Sequence, residues 1–230
     1  MNAARRAPLA VSLAALGALT ALAPALDVAA GERCHPQKAQ HFLVRSAFIL
    51  KGQLSPKRHA SSVRYRTEHY GYVEGFGDPK WNAHPPTFFA EETTFFGLKL
   101  SVHQKIVPAL ACVEREIKRA CGDDERYEPH AVTGFRDRNT FRGGEITNHL
   151  YGIALDIDPE QNPCCHCVEP WSQAPQCTKE VKSPFERAAM PACFIHSFER
   201  FGFYWLGRDM LEDTMHFEFL GRPEKVVAKK

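Results

Sequence analysis

The sequence has no large excess of charge of either sign. Lys and Arg together number 29, Asp and Glu number 27, and the formal net charge is only +2. No run of basic residues is present either. Nucleic acids and anionic membranes attract proteins through concentrated positive charge. The charge pattern therefore argues against both as partners.

Internal repeats, long low-complexity segments and a regular strand–helix–strand alternation are also lacking. The 230 residues suffice for one domain and are too few for two full-sized ones. Hydrophobic residues make up 44% of the chain and charged residues 24%, which is enough to fill a core. The sequence contains patterns typical of both helices and strands, without a regular alternation of the two. This predicts an α+β fold, with a small antiparallel sheet and flanking helices.

A long apolar stretch occurs near the N-terminus. Arg5 and Arg6 precede the apolar residues 9–26, and residues 28–30 are mostly small. This order is typical of a signal peptide, here residues 1–30, that is removed on export. A retained membrane anchor is the alternative, but the stretch is marginal in length and contains polar and helix-breaking residues. We expect a protein exported to the periplasm or the extracellular space, without stable membrane insertion after cleavage.

Eight cysteines follow this leader. An even number in an exported chain is typical of disulfides, although the pairing cannot be deduced. Cys112 and Cys121 would lie about 13 Å apart on one helix, too far to pair with each other. Residues 159–194 form a Cys-rich insertion loop in which Cys-Cys-His-Cys spans 164–167. That order is compatible with a second, structural zinc, and a disulfide-stapled loop is the other interpretation.

Residues 31–102 are interpreted as an N-terminal extension. Residues 31–90 show no clear periodicity, so loops with short strands are predicted there. Residues 95–102 alternate near their end, as a short strand does.

Residues 103–222 have clearer patterns. Apolar residues at helical spacing predict a helix over about 103–121. Residues 149–158 indicate a turn that runs into a buried strand. Ser183 followed by Pro, Phe and Glu predicts a helix start, and Pro191 interrupts that helix early. Further short strands are predicted at 131–135, 203–205 and 216–219.

This second part contains the residue types of a catalytic zinc site. Such a site takes three nitrogen, oxygen or sulfur ligands from the protein and keeps one position open. His149 and Asp156 lie close in sequence, and Asp213 and His216 form a second pair. Side chains alternate between the faces of a strand, so Asp156 and His216 would face away from their apolar neighbours. We therefore expect the zinc site on the sheet.

Four motifs occur in order along this part of the chain. They are Thr-Gly-Phe-Arg at 133–136, Thr-x-His-x-x-Gly-x-Ala-x-Asp at 147–156, Gly-Phe-x-Trp at 202–205 and Asp-x-x-His-Phe-Glu at 213–218. Each is weak alone, but their order and spacing over roughly residues 103–220 resemble the zinc D-alanyl-D-alanine carboxypeptidases. That family includes the vancomycin-resistance D,D-peptidases and the L-alanyl-D-glutamate endolysins.

The resemblance implies a zinc cofactor held by His149, Asp156 and His216. It implies Asp213 as the general base and Arg136 as a cation that faces the substrate. Glu218 is expected to orient His216 through a hydrogen bond.

The resemblance also implies hydrolysis of peptide bonds in peptidoglycan stem peptides, of the D-alanyl-D-alanine carboxypeptidase type. An L-alanyl-D-glutamate endopeptidase is one alternative, and a non-catalytic zinc-containing module that binds the cell wall is another. Asp213 argues against the module, because a pure binder needs no base three residues before a ligand. The Cys-rich loop departs from the family pattern and leaves the mode of substrate binding open.

Overall fold

The computed structural model describes residues 33–122, 126–167 and 169–227, so the predicted leader lies outside the described residues. Three α-helices occur in these ranges: α1 Pro56–Tyr70, α2 Val107–Ala120 and α3 Ala192–Arg200. Eight strands accompany them: β1 Ile49–Leu50, β2 Gln53–Leu54, β3 Ala90–Phe95, β4 Leu98–His103, β5 Val132–Thr133, β6 Ala154–Ile157, β7 Phe203–Trp205 and β8 His216–Phe219.

The strands form three small sheets. β1 pairs with β2, β3 pairs with β4, and a four-stranded sheet has the order β5-β6-β8-β7. All of these pairings are antiparallel. The predicted α+β class with small antiparallel sheets and helices is therefore confirmed.

The back of the four-stranded sheet is apolar and packs on the helices. Leu155 pairs directly with Phe217 across β6 and β8, and both are fully buried. The Phe217 ring stacks on Phe198 of α3, with ring centroids 4.1 Å apart. Because a strand alternates its side chains, the neighbours of these residues face the opposite side, where the candidate site lies.

The prediction of loops and short strands over residues 31–90 is wrong for the segment that forms α1. The buried face of this helix is largely polar and includes His59, Ser62, Arg66 and Thr67. These residues recur at helical spacing, but a search for apolar periodicity does not detect them. The helix could therefore not be predicted from apolar periodicity, because most of its buried residues are polar.

The short strand predicted over 95–102 is confirmed for its alternating end, which forms β4, whereas the first residues of the segment belong to β3 and to the turn before β4. Phe95 ends β3, and Leu98 begins β4, so the segment is the turn and second strand of a hairpin. Phe96 and Gly97 turn the chain with φ angles of 50° and 78°.

The helix predicted over about 103–121 is confirmed, with a 3-10 turn before α2 begins at Val107. The predicted start at Ser183 is a single 3-10 turn, in which the Ser183 hydroxyl accepts from Phe185 N at 3.4 Å. That turn ends at Arg187, and α3 begins only at Ala192, directly after Pro191.

The N-terminal extension shares its core with the rest of the chain. Val63 and Tyr70 belong to the same hydrophobic cluster as Phe217. Arg45 adds two ion pairs, to Glu145 at 2.8 Å and to Asp209 at 2.7 Å. All three side chains of this triad are largely buried, so breaking one partner would leave an uncompensated charge.

The eight cysteines form four disulfides: Cys34–Cys112, Cys121–Cys193, Cys164–Cys167 and Cys165–Cys177. The expectation that Cys112 and Cys121 have other partners is confirmed. The Cys-rich loop is stapled by disulfides, as the second interpretation of that loop expects. Among the helices of the described ranges, all are too short or too polar to cross a membrane.

Candidate metal centre

His149 is placed by a short turn before β6. The Thr147 hydroxyl accepts from His149 N at 3.4 Å and caps a 3-10 turn over Asn148–Tyr151. Gly152 ends the turn with a left-handed φ of 65°, a conformation that a side chain disfavours. A Cβ at Gly152 would also collide with the Phe135 ring. The turn thus needs glycine to bring His149 back over the sheet.

Asp156 and His216 face each other across the sheet. They are directly paired in the register of β6 and β8. His216 Nδ1 lies 2.8 Å from Asp156 Oδ1, and His149 Nε2 lies 3.3 Å from the same oxygen. The two imidazole nitrogens are 3.1 Å apart. The structure therefore brings the three predicted ligands together, all of them buried.

The outer nitrogen of each imidazole has an acceptor of its own. His149 Nδ1 lies 2.6 Å from the Gly134 carbonyl oxygen, and His216 Nε2 lies 3.2 Å from Glu218 Oε1. A carbonyl or carboxylate oxygen only accepts, so the ring N–H of each histidine points outward. The inner nitrogens are left with their lone pairs directed at the centre, which is how metal-binding histidines are commonly fixed.

These three atoms suit zinc. Two imidazole nitrogens and one carboxylate oxygen are a common donor set for this metal. Zinc bonds of about 2.0–2.1 Å with tetrahedral angles separate neighbouring ligand atoms by roughly 3.3 Å. The observed separations of 2.8, 3.1 and 3.3 Å are close to that value. Three electron-pair donors this close would repel one another without a cation between them.

Comparison with known proteins agrees with this geometry. Residues 141–219 match the family model of D-alanyl-D-alanine carboxypeptidase. The resemblance predicted from the motifs is confirmed over this segment, which contains His149, Asp156, Asp213 and His216. No curated protein and no solved structure matches the chain. Arg136 and the N-terminal extension precede the carboxypeptidase-like segment.

The protonation of the site reflects its burial and close contacts. Burial alone would raise the pKa of Asp156, but His149 and His216 hold it well below its usual range. Burial likewise opposes the charged form of His216, yet hydrogen bonds to Asp156 and Glu218 raise its pKa to about 10. Burial lowers the pKa of His149.

Asp213 lies at the start of the turn that leads into β8. Its carbonyl oxygen accepts from His216 N at 3.4 Å. Burial raises the pKa of the Asp213 carboxyl to about 7, with the charge of Asp156 adding to the effect. Within the described ranges, no donor contacts its buried Oδ1 atom. The charges of Asp156 and His216 therefore act on the Asp213 carboxyl, while its Oδ1 atom has no hydrogen-bond partner among the described residues.

Arg136 reaches the site from the segment after β5. Its backbone N–H donates to the His149 carbonyl at 3.3 Å, and its guanidinium forms an ion pair with Asp156 Oδ2. The side chain remains 35% exposed and lines a surface groove formed by residues 135–140. Arg136 thus connects a candidate ligand to the surface next to the site.

Asp158 differs from its neighbour Asp156. It follows β6 with a φ of 42°, and its Oδ1 accepts from His130 N at 2.8 Å and Ala131 N at 2.6 Å. The residue is a local anchor and lies outside the group of converging ligands.

The Gly134 carbonyl oxygen was not predicted as a partner of His149, because a backbone acceptor cannot be recognised from residue type.

Proposed function

We propose that this chain is an exported zinc metallopeptidase that removes terminal D-Ala from peptidoglycan stem peptides. The observation that carries the proposal is the convergence of two imidazole nitrogens and one carboxylate oxygen within the carboxypeptidase-like segment. The four disulfides support export, because such bonds persist in oxidising compartments.

His149, Asp156 and His216 would hold the metal, and outward hydrogen bonds would keep their rings and donor atoms in place. Bound zinc would supply Lewis acidity, which polarises the scissile carbonyl and makes water a stronger acid. Asp213 would take a proton from the attacking water and deliver it to the leaving amine. Its Oδ1 atom, which has no partner in the part of the chain that the structure describes, supports this role, since a base must be free to accept a proton.

The groove over residues 135–140 supports carboxypeptidase rather than endopeptidase activity. Arg136 and Arg138 both line it, and Arg138 is largely exposed. A guanidinium matches the geometry of a carboxylate with two parallel hydrogen bonds. A stem peptide that ends in D-Ala-D-Ala has a free carboxylate one residue beyond the scissile bond. Arg136, beside Asp156, is the cation best placed to bind it.

Defined stem peptides test the proposal. The chain from residue 31 onward, loaded with zinc, should release one D-Ala from a pentapeptide ending in D-Ala-D-Ala. The same pentapeptide with an amidated C-terminus should be cleaved poorly, because Arg136 then has no carboxylate to bind. Mass spectrometry of the products identifies the bond that is cut.

The alternative functions give different products. New N-terminal D-Glu, released from amidated and free peptides equally, would assign the chain as an L-alanyl-D-glutamate endopeptidase. Zinc binding and peptide binding without any cleavage would assign it as a cell-wall-binding module. The His149→Ala and His216→Ala variants should lose zinc, and full retention of zinc in both would reject the metal centre itself.

A further inference from the structure

The Cys-rich loop lies alongside the segment that contains Asp213. Cys164 and Asp213 form an antiparallel bridge. Backbone hydrogen bonds extend the contact on both sides: Thr214 N to Pro163 O at 3.1 Å, Cys165 N to Glu212 O at 3.2 Å and His166 N to Leu211 O at 2.9 Å. The backbone before β8 is therefore held in place by the loop.

This pairing brings two sulfur atoms next to the proposed base. Cys164 Sγ, Cys167 Sγ and one carboxylate oxygen of Asp213 all lie within 4.8 Å of one another. Cys164 is 1% exposed, while Cys167 is only partly buried. The buried Asp213 Oδ1 contacts no hydrogen-bond donor among the described residues. Disulfide sulfurs are poor metal ligands, but two thiolates at Cys-x-x-Cys spacing form a typical half of a zinc site.

Among the four disulfides, Cys164–Cys167 closes the shortest loop. Its cysteines are 3 residues apart, compared with 12, 72 and 78 residues in the other pairs. A disulfide stabilises a fold largely by restricting the unfolded chain, and this effect grows with loop length. Opening the shortest loop therefore costs the fold the least stability, and Cys167 is partly exposed to a reductant.

We propose that reduction of Cys164–Cys167 creates a second zinc site whose ligands are Cys164, Cys167 and Asp213. Two electrons and two protons from a small dithiol break the S–S bond, and the dithiol becomes a cyclic disulfide. Binding of Zn²⁺ then displaces the two thiol protons. Since the carboxylate of Asp213 becomes a ligand, it no longer accepts a proton, and turnover falls. Only this inhibitory consequence rests on the proposed function.

Metal stoichiometry tests the site. The oxidised full chain should bind one equivalent of Zn²⁺. Dithiothreitol is then titrated until mass spectrometry shows that Cys164–Cys167 alone has opened, and the chain should now bind two equivalents. With Co²⁺ as the probe, a thiolate-to-cobalt charge-transfer band should appear only after reduction.

Two double variants provide matched controls. Cys164→Ser with Cys167→Ser should abolish the second equivalent and the band, whereas Cys165→Ser with Cys177→Ser should keep both. Asp213→Asn should lower the affinity of the second site for zinc by at least about 10- to 100-fold. Loss of a residue that only contacts a metal ligand already has an effect of this size. In the wild type, excess Zn²⁺ should inhibit only the reduced form, and reoxidation should restore activity.

Several results would overturn the proposal. A selectively reduced chain with one equivalent of metal and no charge-transfer band would do so, as would a band that persists in the Cys164→Ser, Cys167→Ser variant. Opening of another disulfide before Cys164–Cys167 would reject the order of reduction. An oxidised chain that binds zinc without cleaving peptides would reject the proposed function alone, because the cobalt band reports the second site without any turnover.

Discussion

Glu218→Gln probes how the site holds its metal without changing a proposed ligand. Glu218 Oε1 lies 3.2 Å from His216 Nε2, and both residues are 3% exposed. Burial alone would raise the pKa of Glu218, but the hydrogen bond from His216 lowers it overall, so the side chain is ionised. Glutamine keeps the shape and an acceptor oxygen while removing the negative charge. The substitution therefore isolates the electrostatic support of the His216 imidazole.

Outer-shell partners of metal-binding histidines typically contribute about 10- to 100-fold in affinity. We expect Glu218→Gln to weaken zinc binding by this factor, which corresponds to about 1.4–2.7 kcal/mol. Competition with a chelator of known affinity measures the change, and circular dichroism verifies the fold. Glu92→Gln, an exposed change on β3, is the matched control and should bind zinc as the wild type does. Unchanged zinc affinity in Glu218→Gln would refute the inference that the charge of Glu218 supports His216 as a zinc ligand.

Three further predictions concern the stability of the fold around the site. Gly152→Ala should lower the free energy of unfolding by about 2–4 kcal/mol, because it strains a left-handed residue and pushes on the Phe135 ring. A urea titration matching the wild type would contradict this. Replacing Cys34 and Cys112 by Ser opens a disulfide between residues 78 apart, and a urea titration should show a free energy of unfolding lower by about 4–5 kcal/mol. Burial lowers the pKa of His103 from 6.5 to about 4, so its stabilising contribution is complete above pH 6.5 and is lost as the pH falls toward 4. His103→Gln should therefore reduce the number of protons taken up on unfolding between pH 6.5 and 4 by up to one. An unchanged slope of the unfolding free energy against pH would show that His103 does not contribute.

The sequence allows the candidate ligands to be found because strand alternation and pairing are local rules. Asp156 and His216 each stand between apolar neighbours, which predicts that both face away from the core. Their direct pairing across β6 and β8 could not be read from the sequence, since register depends on how distant strands meet. The motifs supplied that information indirectly, because their order implied a common site.

Other features have no local signal. Helix α1 buries Arg66 and Thr67 rather than an apolar stripe, so its helical period is visible only when polar residues are counted. Two of the four disulfides, Cys34–Cys112 and Cys121–Cys193, join segments more than 70 residues apart. The ion triad around Arg45 likewise joins side chains 100 and 164 residues away. These features depend on tertiary packing, so they cannot be predicted from composition or from the spacing of residues within one segment.

Asp213 is the proposed general base of a zinc peptidase. Asp213→Asn preserves the size of a side chain that lies outside the group His149, Asp156 and His216, so the zinc content and the fold of the oxidised chain should match the wild type. General-base catalysis typically contributes about 10²–10⁴-fold, and kcat on a D-Ala-D-Ala pentapeptide should fall by at least that much. The affinity for the peptide should change far less, because the proton is transferred in the transition state. A zinc-loaded Asp213→Asn variant that turns over at the wild-type rate would contradict the claim.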